Sequence, residues 1–186
     1  MKKIVLLLIA VMLMAPVYAQ NKKTTNPKAT KSKAKTELKK SEKNETLPKV
    51  YDEDRDSREV FQEGLEESRA TDRMLICQVG GNWCPWCLRL ANMVNTDEEL
   101  LKLVKENFVY VHINVPADKE KRDYELLKLL GNPGRFGYPA LVIVDKDERV
   151  IHIQNTSYLE VGETYDKKKV MEFFQQWTRK AIEDIK

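Results

Sequence analysis

Cysteine and histidine are scarce in this chain, with three Cys and two His in 186 residues. That bears first on metal chemistry. A structural zinc site takes four ligands, usually two Cys/His pairs. Apart from Cys84 and Cys87, only Cys77, His112 and His152 remain, and they lack ligand spacing. No metal site is expected. A membrane-spanning run is lacking too. Ile4 to Ala15 is apolar but only twelve residues long, and a bilayer needs about 20. No cysteine lies near the end of that run, so lipid attachment there is not indicated. No internal repeat occurs, and no nucleic-acid recognition motif accompanies the basic residues.

The apolar run follows the basic Met1-Lys2-Lys3 and leads to Val17-Tyr18-Ala19. This is the pattern of a secretory signal peptide, residues 1–19, cut after Ala19; an uncleaved anchor is the alternative. The protein is therefore expected to be periplasmic or secreted and soluble after cleavage, with no stable membrane insertion. Residues 20–49 hold ten Lys against three Glu and almost no large apolar residue. Such a stretch cannot bury enough surface to offset its ordering entropy and reads as a disordered linker. With +2 on the signal peptide and +7 on the linker, the total of +3 leaves −6 on residues 50–186. The basicity thus belongs to the tail. A solvated spacer is the plain reading; contact with anionic lipid headgroups is the other. Export argues against nucleic acid as a partner. The remaining 137 residues suit one domain with one core.

Within that domain Trp83-Cys84-Pro85-Trp86-Cys87 follows the apolar run Met74 to Val79 and a Gly80-Gly81-Asn82 turn, and precedes a helical segment. A Cys-x-x-Cys is thereby placed where a buried strand hands over to a helix. The helix N-terminus offers unpaired N–H groups and a partial positive charge, which stabilise a thiolate. Pro85 suits the first helical position, where its missing N–H has no partner anyway. Cys84 then lies at the helix mouth as nucleophile. Cys87, three residues on and on the same face, resolves the mixed disulfide. Three plainer readings compete. A structural bridge would close too small a loop to stabilise much. A half zinc site lacks its other half, and chance does not account for the place between strand and helix.

The elements read in order as follows. Asp54 to Arg73 is an amphipathic helix with Asp56 and Glu59 as a capping pair. Leu75 to Val79 is a strand, Pro85 to about Val94 a helix. Thr96-Asp97-Glu98-Glu99 is a capping box for a helix to about Glu106. Phe108 to Val115 is a strand, Asp118 to Leu130 a helix ended by Gly131. Leu141 to Val144 and Val150 to Gln154 form a hairpin. Asp166 to Ile185 is a closing helix. Cys77 reads as a small buried hydrophobe, and His112 and His152 as structural or solvent-facing.

Trp83-Cys84-x-x-Cys87 after a strand, together with Tyr138-Pro139 before the strand Ala140 to Val144, resembles the thioredoxin family from about Leu75 onward. Within it the chain is most similar to exported bacterial thioredoxin-like and disulfide-isomerase-like proteins. The resemblance implies an α/β thioredoxin-like fold, a mixed central β-sheet flanked by helices, here with an extra N-terminal helix. It implies a cis bond at Tyr138-Pro139 facing Cys84, and a Tyr138 backbone on which a substrate segment can pair as an added strand. Two positions depart from the family pattern. Gln78 replaces a buried carboxylate that helps move the proton of the resolving thiol. Tyr138 replaces a smaller or β-branched residue. Trp86 stands where strongly oxidising relatives carry His, which points to a less oxidising pair. Trp83, Pro85, Trp86 and Pro139 are expected to support the site, with Tyr138 and Phe136 contacting substrate.

The function expected is exchange of disulfides with exported cysteine-containing proteins. It would need no cofactor besides the redox-active Cys84–Cys87 pair, and a membrane electron donor or acceptor would recharge it. A reductase or isomerase fits better than a strong oxidase. The rival is a thioredoxin-fold module that binds client chains with little redox turnover. A double Cys84/Cys87 to Ser variant separates the two, because only the binding module would be unaffected.

Overall fold

In this computed structural model the described residues are 47–183. The expected signal peptide and all but the last three residues of the expected linker lie outside the described residues.

β1 (Met74–Gly80) is central because every residue in it is buried. It pairs in parallel with β2 (Phe108–Asn114) and antiparallel with β3 (Ala140–Val144). β4 (Val150–Asn155) pairs antiparallel with β3, giving the order β2-β1-β3-β4. Alternation along the strands divides the core in two. Leu75, Cys77, Val79, Val142 and Val144 pack under α1 (Ser57–Thr71) and α4 (Tyr124–Leu129) through Phe61, Leu65 and Leu126. Met74, Ile76, Leu141 and Ile143 pack under α2 (Pro85–Thr96), α3 (Glu98–Asn107) and α5 (Lys167–Gln176) through Leu90, Val94, Leu100, Val104, Phe173 and Phe174. Gly64 lets α1 approach the sheet: a Cβ there would lie 2.8 Å from Val111 Cγ1.

Several boundaries differ from expectation, each for a local reason. α2 runs on to Thr96, whose hydroxyl donates to the Asn92 carbonyl. The cap of α3 is therefore Asp97, which accepts from the Glu99 and Leu100 amides. The single helix expected over 118–130 is a 3-10 turn at Lys119–Lys121 followed by α4. Asp123 starts α4 anew, accepting from the Leu126 amide while pairing with Arg58 on α1. Between the expected hairpin and closing helix, residues 156–165 hold a 3-10 turn (Thr156–Leu159) and a small hairpin of β5 (Glu160–Val161) and β6 (Thr164–Tyr165). Gly162, at φ +57°, makes its bend. The closing helix is two: α5, then α6 (Arg179–Glu183), restarted where Thr178 Oγ1 accepts from the Ala181 amide.

Candidate active site

Cys84 is the N-cap of α2 and Pro85 its first residue. The turn before it is closed by the Cys84 amide donating to the Gly81 carbonyl at 3.0 Å. Cys84 Sγ accepts from the Cys87 amide at 3.2 Å, so the helix mouth points at that sulfur. Cys84 and Cys87 form a disulfide. The two differ in exposure: Cys84 keeps 5 % of its surface open and Cys87 none. Of the pair, only Cys84 is open to solvent.

The Tyr138–Pro139 peptide bond is cis. The Tyr138 carbonyl oxygen lies 3.5 Å from Cys84 Sγ. Thr156 Oγ1 donates to the Pro139 carbonyl at 2.6 Å, tying this loop to the segment after β4. Trp83 is half exposed, stacks edge-on against Tyr138 at 5.6 Å, and donates from Nε1 to the Val115 carbonyl at 2.7 Å. Trp86 meets Tyr165 edge-on at 5.4 Å under the Arg89 guanidinium. Phe136 stands exposed on a 3-10 turn (Pro133–Phe136), its ring under the Arg135 guanidinium. Trp83, Cys84 and Tyr138 are thus brought together, and Phe136 belongs to the adjoining turn.

The matching family model, described as thioredoxin-like, covers residues 57–146. The domain has a thioredoxin-like fold. Among solved structures, a disulphide isomerase from Xylella fastidiosa Temecula1 superposes with a TM-score of 0.59 at 23 % identity, over 70 % of this chain and 97 % of that one. A thioredoxin from Thermus thermophilus is matched at a TM-score of 0.46 and 20 % identity, over 65 % of this chain and 85 % of that one. No curated protein sequence matches the chain.

Beneath the disulfide of the thioredoxin-like domain lies a polar cluster that the sequence did not announce. Gln78 is fully buried. Its Nε2 donates to the Cys87 carbonyl at 3.1 Å and to Tyr51 Oη at 2.5 Å, and its Oε1 accepts from Tyr110 Oη at 2.6 Å. Tyr51 comes from the segment before α1. Asn82 holds that segment, accepting from the Val50 and Tyr51 amides at 3.1 Å and donating to the Tyr51 carbonyl at 2.7 Å. Burial raises the pKa of both tyrosines. His112 packs edge-on against both rings; burial lowers its pKa to about 4, and its Nε2 has no partner among the described residues. Cys77 is fully buried on the α1 side of β1, and burial raises its pKa. His152 stacks on Trp177 at 4.3 Å. Among the described residues no group of His, Cys, Asp and Glu is placed to hold a metal ion, and no helix is long and apolar enough to cross a membrane.

Proposed function

We propose that this protein is an exported thiol–disulfide oxidoreductase acting on protein disulfides through Cys84 and Cys87. The supporting observation is the disulfide at the mouth of α2, with its outer sulfur beside the Tyr138 carbonyl and its inner sulfur sealed from solvent. The substrate segment lies along Tyr138–Pro139 as an added strand, with Trp83 and Phe136 as its apolar borders. In the reducing direction the Cys84 thiolate attacks a substrate disulfide and forms a mixed disulfide. Cys87 then attacks Cys84, releasing reduced substrate and leaving the Cys84–Cys87 bond. The α2 N-terminus stabilises the Cys84 thiolate. Trp86 between the thiols adds no positive charge, which favours a reductase or isomerase over a strong oxidase. Residues 1–19 act as the export signal, residues 20–49 as a spacer, and 50–186 as the working domain. Its partners are exported cysteine-containing proteins and a membrane electron donor or acceptor.

The test is mutational. Cys84→Ser abolishes turnover of a disulfide substrate, and Cys87→Ser accumulates mixed disulfides, visible as reductant-sensitive complexes in the exported fraction on a chain beginning at residue 20. Turnover by Cys84→Ser, or no complexes from Cys87→Ser, contradicts the assigned roles.

A further inference from the structure

We infer that the Tyr51 hydroxyl is the hydrogen-bond donor that receives the Cys87 thiolate when the Cys84–Cys87 bond opens, a positioning role supplied by the segment before α1. The inference rests on the exchange reading above and extends it to a residue outside the Cys-x-x-Cys motif.

Placement comes first. A Cβ built on Gly80 would lie 2.5 Å from Cys87 Sγ and 2.9 Å from Tyr51 Oη. The sulfur and the hydroxyl therefore flank one small space, which glycine leaves open. Tyr51, Cys84 and Cys87 form one buried cluster, with Tyr51 only 4 % exposed.

The direction of the hydrogen bonds comes next. The Cys87 carbonyl can only accept, so the Gln78 NH2 must face it. The second N–H of that amide is given to Tyr51 Oη, and Tyr110 fills Oε1. Tyr51 thus accepts from Gln78, and its own proton has no acceptor among the described residues. A hydroxyl that already accepts a hydrogen bond is a better donor. The other titratable groups in the cluster carry no charge at pH 7: Tyr110 is a neutral phenol whose pKa burial raises further, and burial lowers the pKa of His112.

The step balances without any added reactant. A substrate thiolate bonds to Cys84 Sγ, the Cys84–Cys87 bond breaks, and its electron pair stays on Cys87 Sγ. The substrate sulfur is oxidised and Cys87 is reduced. A buried thiolate is costly unless it is hydrogen-bonded. Tyr51 O–H supplies that bond where a titrating carboxylate is absent, and the proton stays on the tyrosine.

The test titrates Cys87 in the full-length exported chain carrying Cys77→Ala and Cys84→Ser, following thiolate absorbance against pH. Adding Tyr51→Phe, which keeps the ring, lowers the thiolate fraction below the midpoint about tenfold, the effect of one charged hydrogen bond. Tyr110→Phe removes the hydroxyl that donates to Gln78 Oε1 in the same network, and moves the midpoint much less. An unchanged midpoint in Tyr51→Phe, or equal shifts in both variants, overturns the inference. If Tyr51→Phe does not fold, Asn82→Ala releases the same segment and carries the same expectation. Disulfide turnover by wild type, assayed alongside, keeps the two readings apart: its failure removes the exchange function, whereas the Cys87 midpoint alone decides Tyr51.

Discussion

Gln78 shows how one residue changes what its neighbours must do. A carboxylate there could titrate; the amide instead binds Tyr51, Tyr110 and the Cys87 carbonyl at once. His112 lies beside both tyrosine rings, and its burial has a consequence for stability. Its pKa falls from 6.5 to about 4 on folding. Between those values the unfolded chain binds a proton that the folded chain refuses, so stability drops as pH falls. The loss reaches roughly 3 kcal/mol near pH 4. Urea midpoints should therefore fall more steeply with acid in wild type than in His112→Gln. Parallel curves would show that His112 is protonated without cost in the folded state. The Cys84–Cys87 pairing at the start of α2 was legible from residues alone, because it depends on one turn and one helix start. Tyr51 was not: it meets Gln78 and Asn82 across 27 and 31 residues of sequence. Nothing in the local pattern around Asn82, which read as part of a glycine turn, signals that it holds a distant strap.

At the scale of elements, the strands were legible because continuous apolar runs can only be central strands or buried helix, and turn residues bound them. The helix breaks were not legible where apolar periodicity continues across them. The interruption before α4 is decided by Asp123, which caps the Leu126 amide and takes the Arg58 guanidinium at 2.8 Å. Removing the cap by Asp123→Ala is expected to cost about 1–2 kcal/mol. Asp123→Asn keeps a capping oxygen and loses only a surface ion pair, costing about 0.5 kcal/mol. Chemical denaturation of the two variants checks this, and equal losses would mean that the ion pair and not the cap sets the boundary. The break before α6 has the same character, since Trp177 leaves the helix to stack on His152. The β5–β6 hairpin is not legible in the sequence because two-residue strands carry no period. It delivers Tyr165 against Trp86, so it belongs to the wall of the site.

For the whole molecule, the order of elements and the two sequence anchors, Cys84-x-x-Cys87 and Tyr138-Pro139, point to one architecture. The four-stranded sheet β2-β1-β3-β4 brings those anchors together, because β1 ends at the Cys-x-x-Cys turn and its partner β3 begins after Pro139. Sequence-distant residues then seal the inner thiol from beneath. The central claim is that this sealed pair exchanges electrons reversibly. It is tested most directly by equilibrating the Cys77→Ala protein with glutathione or dithiothreitol buffers of graded potential and reading the Cys84–Cys87 thiol content. The account predicts one reversible two-electron transition at about −180 mV or lower, in the range of isomerases and thioredoxins. A transition near about −120 mV would contradict the reductase or isomerase assignment, and the absence of any reversible transition would contradict the exchange function itself.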